Sequence, residues 1–246
     1  MNIAIALAAL TAIATSAGGF LAIRSRDRLH LVLGLSAGLL LGLVAFDLLP
    51  EIFELNTKTF GNVPIVSIAF VFGFLALHFA EQIFGSHEPA ESDYGHEHNH
   101  SANIAGTIGA LAMGGHVFLD GVALGLSFKI SNALGLAVFI AIVFHAFSDG
   151  LNTVSLLIKS GHWSKRAISL LGLDAIMRIS GAAFGTYVVI SESSLALYLA
   201  MFSGFVIYLA TSHILPEAHS RHPSKMTILA TVIGVVAMGL IVGNIG

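Results

Sequence analysis

Eight apolar runs divide this chain, near residues 2–22, 30–52, 63–84, 103–128, 132–158, 166–190, 194–216 and 225–245. Each is about as long as the 20 residues a helix needs to cross a hydrocarbon layer. Only 10% of residues are charged, against about 25% in soluble domains, and 56% are hydrophobic. Residues 1–246 are therefore expected to form a single all-α transmembrane domain of eight spanning helices, with lipid as its surroundings. The formal net charge of −3 and the lack of a basic block argue against a nucleic-acid partner. Zero cysteines exclude disulfides and thiolate metal ligands.

Orientation follows from the basic residues between the runs. The first run has small residues at Ala14-Thr15-Ser16-Ala17, as a cleaved signal peptide would. However, no Lys or Arg precedes it and Arg24, Arg26 and Arg28 follow it, which favours a retained helix with its N-terminus outside. The cytoplasmic connections then hold Arg24, Arg26, Arg28, Lys159, Lys165, Arg166, Arg221 and Lys225, and the outer ones only Lys58 and Lys129. Eight against two is a positive-inside bias that puts both termini outside. Trp163 and Tyr198, near span ends, read as interfacial anchors. Glycines spaced by four read as helix-packing contacts: Gly34, Gly38 and Gly42, Gly121 and Gly125, Gly181 and Gly185, Gly239 and Gly243.

One short phrase occurs twice inside this apolar frame. His116-Val-Phe-Leu-Asp120-Gly121 in the fourth run returns as His145-Ala-Phe-Ser-Asp149-Gly150 in the fifth. A histidine and an aspartate at i and i+4 share one helix face, about 5–6 Å apart at Cβ, close enough to hold one cation together. Ionisable groups in a span are costly, about 2.5–3.5 kcal/mol on the lenient insertion scale, and usually mark an ion or substrate path. A lone histidine is as well explained by a neighbouring carbonyl, but two His–Asp pairs at matching depth are not. Without a cation, their two carboxylates could not both stay ionised cheaply in a low dielectric. Imidazole and carboxylate ligands suit Zn2+ and also Fe2+, Mn2+ or Cd2+.

A second repeat closes two runs: Asp47-Leu-Leu-Pro50-Glu51 in the second and His213-Ile-Leu-Pro216-Glu217 in the seventh. These helices run in opposite directions, as do the fourth and fifth, so the pairs of motifs suggest an inverted repeat with a ligand near the midplane. Asp47, Glu51 and Glu54 form an acidic stripe that reads as an entrance, and His213 with Glu217, and His78 with Glu81, read as an exit. Plain hydration at the interface is the competing account for Glu54, Glu81 and His78. The polar connection 85–102 carries His87, His96, His98 and His100 among acidic residues; its composition cannot bury a core, and it reads as a loose metal-binding or merely solvated cytoplasmic loop.

These features together resemble the ZIP family of divalent-metal transporters over the whole chain. The two phrases match that family's His-Asn-x-Pro-Glu-Gly pattern in their His, acid and Gly positions. The resemblance implies midplane metal ligands at His116, Asp120, His145 and Asp149, with Asp47 where the family often places a ligand on the second helix. It also implies import toward the cytoplasm, a homodimer, and movement of spans one, four, five and six against the other four. An integral protein of a bacterial-type plasma membrane is the expected setting. Departures are Val117 and Ala146 where polar ligands are common, Leu119 and Ser148 for prolines, and aspartate for glutamate twice. The stretch from Arg178 to Ala182 lines up with one that can carry a second-site glutamate, so Arg178 reads as a built-in cation substituting for a second metal. Being mid-span and permanently charged, it must pair with Asp174 or a site aspartate.

Two rival functions use the same residues. An intramembrane zinc hydrolase would hold a metal-activated water on these ligands, but leaves the Leu-Pro-Glu repeat without a role. A proton-coupled carrier of an organic solute would leave the paired histidines without one. Divalent-metal transport accounts for all of them, with zinc as the first candidate.

Overall fold

The computed structural model describes residues 2–24, 29–84, 101–159, 163–221 and 225–245. Within these, the side chains of Glu81, 101–113, 147–149, 151–159 and several residues at helix ends lie outside the described set. The His-rich connection is therefore outside it over residues 85–100, and so are the side chains of Asp149 and Trp163.

The described chain is almost wholly helical. Its helices are α1 (Ile3–Arg24), α2 (Leu29–Leu43), α3 (Leu49–Leu55), α4 (Ile65–Phe84), α5 (Ser101–Ile130), α6 (Asn132–Lys159), α7 (Trp163–Tyr187), α8 (Glu192–Leu209), α9 (Leu215–Arg221) and α10 (Lys225–Ile245). The π-helical turn Val44–Leu48 joins α2 to α3, and a second, Ala210–Ile214, joins α8 to α9. Among the described residues, three stretches are long and apolar enough to cross a membrane: His30–Leu55, Glu192–His219 and Lys225–Asn244. Ile3–Gly18, Ile65–Ala80 and Asn132–Ala146 are shorter apolar helices. Between α3 and α4 the chain forms a small hairpin, β1 (Thr59–Phe60) antiparallel to β2 (Val63–Pro64), closed by Gly61 at φ 61°. That left-handed value is one a side chain with a Cβ rarely adopts.

The two π turns have a cause in the sequence. Proline lacks the N–H that would bond four residues back, and its ring collides with that carbonyl. Just before Pro50, the Leu49 N–H bonds Val44 O, five residues back, and just before Pro216 the Leu215 N–H bonds Ala210 O in the same way. The wider register absorbs the conflict without breaking the helix. Asp47 and His213 occupy the same position in their respective π turns.

Packing sorts the helices into two groups. In one, α1 lies along α6 and α5 along α7, with α1 also against α7. In the other, α2 lies along α10 and α4 along α8, with α9 packed on α2. The groups meet chiefly where α2 touches α6, over a core that includes Leu40, Leu43, Leu124, Val138, Leu199 and Val206. Large apolar side chains are turned outward along α4 (Val71, Phe72, Phe79) and α10 (Ile228, Val236, Leu240), as a lipid-facing surface requires.

Glycine sets the closest approaches. A Cβ on Gly34 would lie 2.9 Å from the Thr227 carbonyl oxygen, and one on Gly121 2.8 Å from the Ala182 nitrogen. Gly125, Gly181 and Gly185 meet partner backbone in the same α5–α7 contact. Spacing by four does not find the α4–α8 contact, where Gly73 meets Met201 and Gly204 meets Phe74. It also overreaches at Gly243, which has nothing within 4 Å, while Gly239 meets only the Phe46 ring.

Candidate metal centre

The i, i+4 spacing on α5 stacks His116 and Asp120 as its period requires, with Nε2 3.5 Å from Asp120 Oδ2. What α5 cannot supply comes from α6: His145 Nε2 lies 3.0 Å from the same Oδ2 and 3.4 Å from His116 Nε2. Atoms that share one tetrahedral zinc at about 2.0–2.1 Å stand about 3.3 Å apart. The three separations fall around that value. Asp120 is fully buried and His145 nearly so, while 15% of the His116 side chain remains exposed. The trio thus has one open side.

The trio is the only group of three or more ligand-type side chains converging in this way among the described residues. Asp47, Glu51, His213 and Glu217 are not members of it. Asp47 Oδ2 is buried in its π turn with no hydrogen-bond partner among the described residues, and Glu51 is half-buried one turn on. His213 stacks edge-on against Tyr208, ring centres 5.8 Å apart, and Tyr208 OH lies 3.3 Å from His78 Nδ1. Asp149 sits on α6 one turn beyond His145, with its side chain outside the described set.

Arg178 comes to the trio from α7. Fully buried, it places Nη1 3.3 Å from Asp120 Oδ2 and Nη2 3.5 Å from Asp174 Oδ1. It therefore has both of the partners that the sequence offered as alternatives. Gly121 makes this possible: α5 carries no Cβ where it rides against the Arg178 carbonyl, so α7 can come close enough for the guanidinium to reach Asp120.

Two residues near the site were misread or missed in the sequence. Tyr198 is no interfacial anchor: its hydroxyl donates to the Leu119 carbonyl at 2.8 Å, next to Asp120, and its ring stacks on Phe202. This bond crosses from α8 in one helix group to α5 in the other. The Thr15 hydroxyl on α1 lies 3.2 Å from Asp174 Oδ2 and equally 3.2 Å from the Thr11 carbonyl, so its one proton is shared between them. Neither had a sequence signal, because a single hydroxyl in an apolar run is ordinary. Tyr198→Phe should cost about 0.6 kcal/mol, the average for hydrogen bonds between membrane helices. Denaturation in detergent would check it.

The model of the family described as ZIP zinc transporter matches residues 85–242. This chain belongs to that family. Among its relatives, zinc transporter YKE4 of Saccharomyces cerevisiae is 25% identical over 229 residues, covering 82% of this chain and 66% of that protein. Zinc transporter ZIP9-A of Xenopus laevis is 26% identical over 265 residues, covering 85% of this chain and 86% of that one. Zinc transporter ZIP10 of Homo sapiens is 32% identical over 133 residues, 54% of this chain but 16% of its own length. The alignments thus reach under two thirds of the yeast and human proteins. For this ZIP chain, the trio and Arg178 all lie within the residues that the family model matches.

Proposed function

We infer that this protein carries a divalent cation across a membrane, as a transporter and not as an enzyme. Zinc is the first candidate, with Fe2+, Mn2+ or Cd2+ as alternatives. The observation that carries this reading is the spacing of His116 Nε2, Asp120 Oδ2 and His145 Nε2, which suits one tetrahedral cation. Asp149, one turn from His145, would complete the ligand set. Family membership and the zinc-transporter names of the relatives point the same way.

The architecture we propose is eight spans in an inverted repeat, with both termini outside and transport toward the cytoplasm. In its support, exchanging α1 with α7, α2 with α8, α4 with α10 and α5 with α6 turns the close helix pairings into one another. The same exchange maps one π turn and its Leu-Pro-Glu onto the other. Asp47 and Glu51 would form the entrance and His213 and Glu217 the exit. A homodimer in a bacterial-type plasma membrane completes the proposal. Arg178, lying against Asp120, leaves room in this reading for one tightly held ion per protomer.

The test is flux into proteoliposomes against a panel of Zn2+, Fe2+, Mn2+ and Cd2+. Saturable zinc flux is expected, and tight binding with no flux of any ion would overturn the transport reading in favour of a resident hydrolytic metal. Zinc affinity should also fall as pH falls, because imidazole and carboxylate must lose protons before they ligate. The slope should be up to about tenfold per pH unit for each ligand that must release one. Binding titrated from neutral to mildly acidic pH with no change would contradict it.

A further inference from the structure

A single polar chain threads all four helices of the group that holds the trio. The Thr15 hydroxyl on α1 meets Asp174 Oδ2 on α7; Asp174 Oδ1 meets Arg178 Nη2; Arg178 Nη1 meets Asp120 Oδ2 on α5; and the same oxygen meets His145 on α6. The guanidinium is thus a fork, with one prong on the oxygen at the centre of the trio and the other on a carboxylate one helical turn away.

Arginine keeps its charge in any protein interior. A divalent cation bound through Asp120 Oδ2 would compete with Arg178 for the oxygen it already holds, and would repel it at close range in a medium that screens charge poorly. A buried arginine can yield that oxygen only if another acceptor retains it, since an uncompensated buried charge is strongly destabilising. Asp174 meets this need: it is already in contact, and its second oxygen lies 3.2 Å from the Thr15 hydroxyl. Both carboxylates are already within reach of the guanidinium, at 3.3 Å and 3.5 Å.

We propose that Arg178 is a tethered cation that the incoming metal displaces from Asp120, with Asp174 as the carboxylate that receives it. This rests on the reading of the trio as the metal site and adds to it a residue that governs affinity and release. With Arg178 returning to Asp120, the ion leaves a site that already has a replacement cation. Without it, the site should hold metal too well to turn over. Asp174 is on this account a positioning residue, acting on the metal only through Arg178.

The test is zinc affinity of the purified full-length protein at one fixed pH, by competition with a fluorescent zinc chelator, together with zinc flux in proteoliposomes. Arg178→Gln should tighten zinc binding at least tenfold and slow flux. Asp174→Asn should weaken binding about tenfold, Asp174→Glu should restore it, and Arg178→Gln/Asp174→Asn should bind as Arg178→Gln alone does. If Asp174→Asn weakens binding equally in both backgrounds, or if folded Arg178→Gln binds no more tightly than the parent, the proposal fails. Should Arg178→Gln not fold, the Asp174 pair decides: an Asp174→Asn variant with parental affinity overturns the idea. Asp120→Asn separates this from the underlying reading. Parental zinc affinity in that variant sinks the metal site itself, whereas its loss alongside an unchanged Arg178→Gln sinks only the displaced cation.

Discussion

Asp120→Asn should abolish zinc flux and weaken zinc binding by more than about 100-fold, beyond the 10- to 100-fold typical for residues that merely orient a metal ligand. Asp120 Oδ2 is the point on which both imidazoles and one prong of Arg178 converge, so the substitution removes the only carboxylate of the trio. It also strips Arg178 of one of its two described carboxylates. Breaking a buried ion pair from one side usually costs about 3–5 kcal/mol, but the Asp174 prong remains to hold the guanidinium. The variant should therefore insert and purify with reduced stability. Zinc flux and binding at parental levels in inserted protein would show that Asp120 is no ligand.

Gly121→Val should damage both the fold and the site, although position 121 carries no ligand. Its side chain would enter the space between α5 and α7, against the Arg178 carbonyl and 2.8 Å from the Ala182 nitrogen. Overpacking a close contact typically costs about 1–3 kcal/mol, and apolar association between helices gives little compensation in lipid. Pushing α7 outward would also draw Arg178 from Asp120, so zinc affinity should change together with stability. Gly172→Ala is the control. It lies on the same helix as Arg178 with nothing within 4 Å of its added Cβ, and alanine there gains up to about 1 kcal/mol of helix propensity. Thermal unfolding in detergent that ranks Gly121→Val with Gly172→Ala would contradict this account of the motif's glycine.

Relations inside one helix were legible in the sequence, because the 3.6-residue period alone determines them. The chain reads as all-helical and its described residues are almost wholly so, His116 stands over Asp120, and Pro50 and Pro216 mark the two helices whose register widens. Even there the detail came from backbone chemistry: the second run continues to Leu55, past Pro50, because a π turn absorbs the missing N–H. Relations between helices were a different matter. The sequence sets no distance between its two His–Asp phrases and leaves Arg178 a choice, whereas the folded chain brings His145 within 3.0 Å of Asp120 and gives Arg178 both Asp120 and Asp174. Tyr198 reads as an anchor by its place near a span end and instead ties α8 to α5 beside the trio. Such contacts depend on the depth and rotation at which helices meet, and those are set by where backbones approach most closely. Gly121 against Arg178 and Gly73 against Met201 are contacts between residues far apart in the chain, and no local period encodes them. The helices, the kinds of candidate ligand and the places of the prolines follow from local pattern in the chain. Which of those side chains share an oxygen, and which cation already rests on it, depends on how the helices pack against one another.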